Sequence, residues 1–346
     1  MTATYDFDAI VELMTQLLMK AGLPEERARR IARVQTEVEG FGVTTHGLTV
    51  AAAYVNIAKG GNPDPDAKAD IIREFGGTAV LDGGKVMGVE AVLAAREEAE
   101  KRARAHGVGL VSVLHAGWVG VLGYHLAELA RKGFLCRMWA QMSGYPCVVP
   151  FGGREGRVST SPLAIVMPND PDPVVADFST SAVASGKVYR WRSEGVKAPE
   201  PLFYNAEGEL SDDPQVFCDH KAMLPLGGAS SGFRGTAFSI WGEAMTAAAG
   251  GIASGGGKGG QNFHLLAIHA DALGDVEAYK KEWQRFAEYM LSSKPAKGMS
   301  GPRFPGQAEW KKLAQAQSEG LCPHPDVISN LEKLAEELGV EMPEAK

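Results

Sequence analysis

The chain has 346 residues, with 35 Lys and Arg set against 42 Asp and Glu for a formal charge of -7. Length alone allows a substantial core without disulfides or metals, in one large domain or two of moderate size, and the acidic balance offers no broad cationic surface for nucleic acid or anionic lipid. The four cysteines, Cys136, Cys147, Cys218 and Cys322, form no CxxC pair or other metal-ligand spacing, so no metal site or disulfide framework is expected, only reduced and mostly buried thiols. The start, MTATYDFDAIVELM, lacks a basic leader and a long apolar core, and no stretch is apolar for long enough to cross a bilayer. The expectation is a soluble, cytoplasmic protein.

In chain order, Phe7, Ile10, Val11, Met14, Leu17, Leu18 and Ala21 recur at helical spacing behind Asp6 as N-cap, with Gly22 at the end. Pro24 suits the first turn of a second helix that places Ala28, Ile31 and Ala32 on one face and runs to about Val38. In GFGVTTHGL, Thr44 or Thr45 can cap a third helix carrying Leu48, Ala51, Ala52 and Val55 as far as Gly60, which puts His46 in its first turn. From residue 78 short β-branched runs alternate with Ala-rich helices: TAVLDG, a helix from Met87 to Ala105, VGLVSVL, and a helix from Gly123 to Arg131. FLCRMWAQM, PLAIVMP and PVVADFS read as further strands, and a helix at about 235–249 precedes GGIASGGGKGG, read as a mobile loop. FHLLAIHA, a helix from Val276 to Met290 and two C-terminal helices complete an α/β pattern: a mixed sheet covered by helices.

There is no GxGxxG between a strand and a helix and no GxxxxGK[ST], so the Rossmann and P-loop fingerprints are absent. Instead, Gly- and Ser-rich turns follow strands: HAGWVG, FSTSAVASGK and LPLGGASSGFRG. Any one of them is weak evidence, although such turns can present N–H groups and hydroxyls to a phosphate. Of the eight histidines, His106, His220 and His324 lie in polar or turn-like contexts and are read as structural. His46, between hydroxyls and a glycine at a helix start, suits proton transfer near neutral pH. His115 directly follows a strand, where α/β enzymes often contact ligands, and its catalytic and structural readings stand level.

Several segments in order, GVTTHGL, GGNPDP, TAVLDGGKVMG, STSP, DFSTS with GK, LFYNAEGELSDDP, LPLGG and RFPGQAEW, together resemble the type-2 malate/L-lactate dehydrogenase family over nearly the whole chain. The resemblance implies a non-Rossmann α/β core at 77–299 that binds NAD or NADP, with a helical part at 1–76 packed with helices at 300–346. It implies a homodimer acting on a small molecule. His46 takes the place of the family's proton-transfer histidine, and Thr45 that of the serine orienting it. Trp118, Val119, Gly120, Val121 and Leu122 fall next to the cofactor by the same resemblance, as do Asp177, Phe178 and Ser179 and the turn with Arg303, Pro305 and Gly306. Arg234 stands where the family has a lysine after LPLGG. Thr160, Ser185 and Gly186 fall near the substrate.

Departures concentrate at polar positions. Val50 stands where the family has a basic residue that grips the substrate carboxylate, Trp118 where it has a second histidine, and Gln307 where it has a glutamate. The reading that follows is hydride exchange at a carbonyl, imine or alcohol carbon of a small carboxylate-type substrate other than simple malate or lactate. Arg190, Arg192 or Arg234 could supply another cation for it. The alternative is a scaffold redirected to a lyase-like or redox-neutral reaction, or to ligand binding without turnover.

Overall fold

The computed structural model describes residues 3–61, 64–257 and 260–346. Two helices open the chain, α1 (Phe7–Lys20) and α2 (Glu25–Gly40). Asp6 caps α1 through its carboxylate, and Pro24 is the N-cap of α2. The second helix runs past Val38, and the expected face of Ala28, Ile31 and Ala32 is fully buried.

The third helix differs from expectation. Residues Thr44–His46 and Leu48–Val50 form two short 3-10 turns, and α3 begins only at Ala51 and ends at Lys59. No Thr side chain caps it, and its buried face is Ala51, Tyr54, Val55 and Ala58, with Ala52 exposed. Gly47 accounts for the break, because a Cβ there would lie 2.4 Å from Glu39 Oε2 and 2.8 Å from Glu39 Cα. Contact that close with the end of α2 fixes the path of the segment more firmly than helix periodicity does.

A seven-stranded sheet follows: β1 (Asp70–Phe75), β2 (Thr78–Asp82), β3 (Val108–Ala116), β4 (Phe134–Met142), β5 (Leu163–Met167), β6 (Val174–Phe178) and β9 (Gln261–His269), ordered β1-β2-β3-β9-β4-β5-β6. Only β2 and β3 pair in parallel, joined by α4 (Gly88–His106). The sheet therefore starts at Asp70, inside the stretch expected to be helical. β1 escapes a sequence reading because a register irregularity between Ile71 and Arg73 breaks its alternation and leaves Ile71, Ile72 and Phe75 exposed.

Alternation along β3 sorts the two faces. Val111 and Val113 join Ala95 and Ala99 of α4 and Leu126 and Ala130 of α5 (Leu122–Arg131) in the main core. Ser112 faces the other way, toward β9 and α9 (Phe233–Ala248). There His264 Nδ1 lies 2.9 Å from Ser112 Oγ and its Nε2 3.1 Å from Thr246 Oγ1. Helices thus cover both faces, as expected of this fold class.

A smaller lobe holds α6 (Ser185–Glu194), the β7–β8 hairpin (Phe203–Tyr204 and Leu210–Ser211) and α7 (Pro214–His220) around Phe203 and Phe217, and the short α8 (Gly228–Ser231) follows. α10 (Val276–Leu291) lies on the outside, while α11 (Gln307–Glu319) and α12 (Pro325–Leu338) pack against α1, α2 and α3. Of the Gly-rich run read as a mobile loop, residues 258–259 lie outside the described residues. The four cysteines are free, but only Cys136 and Cys147 are buried; Cys218 is half-buried and Cys322 exposed. No described helix is long and apolar enough to cross a membrane.

Candidate active site

One cleft of about 540 Å³ gathers segments from the whole length of the chain. It is walled by Thr45 and His46 from the 3-10 turn, Gly120–Leu122 where the loop after β3 enters α5, Thr160, Asp177–Ser179 at the end of β6, Ser185 and Gly186 at the start of α6, and Pro305 and Gly306. These are thirteen of the residues assigned by sequence, now on one surface.

His46 is half-buried, and the Thr45 hydroxyl lies 2.9 Å from its Nδ1. With Nδ1 engaged, Nε2 is the nitrogen left to exchange a proton. A threonine oxygen accepting from Nδ1–H leaves the lone pair on Nε2, the form that removes a proton; protonation at Nε2 gives the form that donates one. Burial holds the ring's pKa below its ordinary value of 6.5. The cause is therefore burial and not the end of an α-helix, since His46 does not start one. The Trp118 ring stands 5.3 Å from the His46 ring and 6.0 Å from that of Tyr54, centroid to centroid, but Trp118 is not among the residues that line the cleft. Gly186 closes over Thr45: a Cβ at 186 would come within 3.3 Å of Thr45 Cγ2.

Asp177 is open to the cleft on one side yet enclosed by protein on the others. This enclosure pushes its carboxyl up to about 6, opposed by hydrogen bonds from the Gly123 and Leu122 N–H groups. The Gly123 N–H to Asp177 Oδ2 distance is 2.8 Å, so a β6 carboxylate sits on the positive end of α5. Gly123 permits this, because a Cβ there would strike Val175 Cγ1 at 2.4 Å. The turn at 303–306 is tied to the same strand by Val175 N–H to Pro305 O at 3.0 Å, and Gln307 steadies it by accepting from Phe304 N–H.

Other assigned residues lie elsewhere. Val119 is buried, its carbonyl 2.8 Å from His125 Nε2. Val50 is half-buried against the main core. Arg303 is exposed, and Arg234 lies over the Phe233 ring at 5.6 Å. His115 is outside the cleft lining, exposed, with φ of 55° and Nδ1 3.3 Å from Asp82 Oδ1. Arg190 pairs with Glu194, and Arg192 donates to Gln215. Among the described residues no Lys or Arg lines the cleft, and no group of side chains could hold a metal ion.

Two residues with no role assigned from sequence matter here. Glu309 of α11 lines the cleft. Glu39, at 6% exposure, accepts the Leu48 N–H at 2.9 Å and so holds the segment that carries His46. An acid near the end of a charged helix has no sequence signal separating it from a surface residue. The excluded Cβ at Gly47 is what reveals it.

Comparison with known proteins agrees with this architecture. Residues 5–332 match the family model described as malate/L-lactate dehydrogenase. An L-lactate dehydrogenase of Cupriavidus necator is 30% identical over 350 aligned positions, covering 96% of this chain and 97% of that protein. An L-sulfolactate dehydrogenase of Methanocaldococcus jannaschii is 28% identical and covers 95% of both. The crystal structure of malate dehydrogenase from Entamoeba histolytica superimposes with a TM-score of 0.91 at 24% identity, covering 99% of this chain and all of that one, a likeness of fold.

Proposed function

Because the chain belongs to the malate/L-lactate dehydrogenase family, a family of nicotinamide-dependent dehydrogenases, we propose that it exchanges hydride between NAD(H) or NADP(H) and a small 2-oxo or 2-hydroxy carboxylate, with His46 as the proton-transfer residue. The observation that carries this reading is the single cleft in which His46, its Thr45 partner and the Gly120–Leu122, Asp177–Ser179 and Pro305–Gly306 segments meet. The three relatives named above act, by their names, on carboxylates bearing an adjacent hydroxyl: lactate, sulfolactate and malate. We take the chain to act in the cytoplasm as a homodimer, and its nicotinamide-binding core to begin with β1 at Asp70 rather than at residue 77 and to run to 299, with the helical parts before and after it.

The cleft suits a nicotinamide dinucleotide. Its volume lies in the range of small-molecule and cofactor sites. The turn at Gly120, with φ of 76°, and the strand-bound Gly306, with φ of 94°, keep backbone rather than side chain against the cleft. Gly120–Leu122, Phe178–Ser179 and Pro305–Gly306 would hold the cofactor, which supplies or takes the hydride when bound. In oxidation Nε2 of His46 takes the hydroxyl proton of the substrate; in reduction it returns a proton to the carbonyl oxygen. Thr45 keeps the ring oriented through Nδ1 in both directions. The closed Gly186–Thr45 contact limits water beside the Thr45–His46 pair. The paired His46 and Thr45 give no support to a scaffold without chemistry.

Fluorescence titration with NADH and NADPH is expected to show saturable binding of at least one. Failure of both nucleotides to bind would remove the proposal. The substrate follows from what surrounds it. Val50 packs into the core and cannot anchor a carboxylate, while Phe41, Val43 and Phe178 add apolar wall to the cleft. Pyruvate and oxaloacetate are therefore expected to show kcat/KM at least about tenfold below phenylpyruvate, an apolar contact of one or two methylenes being worth that much. Equal or better use of the two small acids would reverse this assignment.

A further inference from the structure

Helix α9 is built inside out. Its buried residues are Gly235, Ser239, Gly242 and Thr246, all of them small. The packing demands it, because a Cβ at 235 would lie 2.5 Å from Thr180 O and one at 242 would lie 3.2 Å from Trp139 Cδ1. The bulky side chains turn the other way: Phe233 is 54% exposed, Ile240 60% and Trp241 49%. A surface helix ordinarily shows the reverse, with its large apolar residues on the core.

The outward residues also keep a register. Phe233, Ala237, Ile240, Ala244 and Ala247 are all exposed and follow one another at steps of 4, 3, 4 and 3 residues, the spacing of a seam along which one helix packs on another. From Gly235 to Ala248 the one charged residue is Glu243, and its carboxylate turns away to accept from Ser254 and Gln141. By contrast α10, which also exposes Phe286 and Tyr289, sets them among Lys280, Lys281, Glu282, Arg285 and Glu288, as a helix in water does. An uncharged seam of this kind is stable only when covered.

Size and charge select what covers it. The exposed parts of the large outward side chains of α9 amount to about 400 Å² per chain, half of what each partner contributes to a standard interface. The patch continues onto Phe151, 6.0 Å from the Phe233 ring and itself exposed, and onto Ile165, which shares the sheet face of Trp139. A seam without charge matches another without charge, and a second copy brings one. Antiparallel about a two-fold axis at Ile240, the pattern complements itself: Phe233 meets the partner's Ala247, Ala237 meets the partner's Ala244, and Ile240 meets its own copy. A parallel pair would set the two Arg234 side chains together, whereas the antiparallel one keeps these like charges at opposite ends.

We propose that two copies of this chain pair through the outward face of α9, antiparallel about a two-fold axis at Ile240. The inference rests on the homodimer reading above and names the surface that makes the dimer. It also places the partner behind the cleft. Ser239 Oγ lies 2.8 Å from Thr180 Oγ1, and Thr180 follows directly on the cleft-lining Asp177–Ser179 segment, so the partner backs each cleft from one helix away.

Sedimentation equilibrium of the full-length protein tests this, with wild type expected at twice the mass of one chain. Ile240→Glu and Ile240→Lys should each raise the dimer Kd at least about 100-fold, because two like charges then meet at the axis with nothing to pair them. An equimolar mixture of the two variants should recover a dimer within about tenfold of the wild-type Kd, since glutamate then faces lysine. Ile240→Cys covers the case in which a charge at 240 disturbs folding: its thiol should react with a maleimide at least about tenfold more slowly than exposed Cys322. A dimer unchanged by either charge, no recovery on mixing, or labelling at 240 as fast as at 322 would overturn this surface and leave the homodimer reading standing. A monomeric wild type would overturn both, and its binding to phosphatidylcholine vesicles would give the face to lipid. Neither result touches the dehydrogenase reading, which is decided by nucleotide binding.

Discussion

Replacing His46 by alanine is expected to lower turnover of 2-oxo acids by 10²- to 10⁴-fold, the range for losing a positioned general acid or base. Nucleotide affinity should stay within a few-fold, and the melting temperature within a few degrees. The side chain is half-buried and its one hydrogen-bonding partner, Thr45, can turn to water, so folding loses little. Wild-type pH dependence gives a second check. Burial holds the His46 pKa below 6.5, with no carboxylate beside it to raise it. Reduction draws a proton from imidazolium, so it should weaken as pH rises through that lowered pKa. Oxidation needs the neutral ring and should persist to lower pH than an ordinary histidine allows. A His46→Ala enzyme within tenfold of wild-type turnover would move the proton-transfer role to another group, with His115 the next candidate.

Glu39→Gln is expected to stabilise the protein at pH 8, by up to about 3 kcal/mol. Burial pushes the Glu39 carboxyl up to about 7 from its ordinary 4.5, opposed only by the hydrogen bond from Leu48 N–H. The sign follows from proton binding. Between pH 4.5 and 7 the folded state holds a proton on Glu39 that the unfolded chain releases, so this group's contribution to stability falls as pH rises through that window. Above pH 7 the native state carries a buried charge. Glutamine removes the charge and keeps an oxygen for Leu48 N–H, so the variant should melt several degrees higher at pH 8 and match wild type below about pH 4.5. Thermal melts across this range test it, and a gain that is the same at pH 4.5 and pH 8, or a loss at pH 8, would mean that the charge itself serves the fold. The residue's position gives the measurement a functional side, because Glu39 underlies the segment that presents His46.

Much of the site was legible because its residues occur in compact, chemically marked runs. GVTTHGL, DFSTS and RFPGQ carry the small residues and hydroxyls that close backbone approach requires, and thirteen of the assigned residues meet in one cleft. What escaped lacked such marking. Glu309 sits in the first turn of α11, where an acid is expected for the helix's own sake. Glu39 reads as one more charge on a charged helix.

By itself the amino-acid sequence determined the alternation of strands and helices, the buried faces of α1 and α2, the family resemblance and the choice of His46 as the candidate for proton transfer. These depend on local periodicity and on side-chain chemistry carried by single residues. Only the tertiary structure decided the order of the sheet, the membership of β1, the 3-10 path of residues 44–50, and which side chains face one another across the cleft. Those features depend on contacts between distant segments: α2 against Gly47, Thr45 against Gly186, and α5 against Asp177. There the exclusion of a single Cβ, or one hydrogen bond between elements, outweighs the weak local preference of the chain.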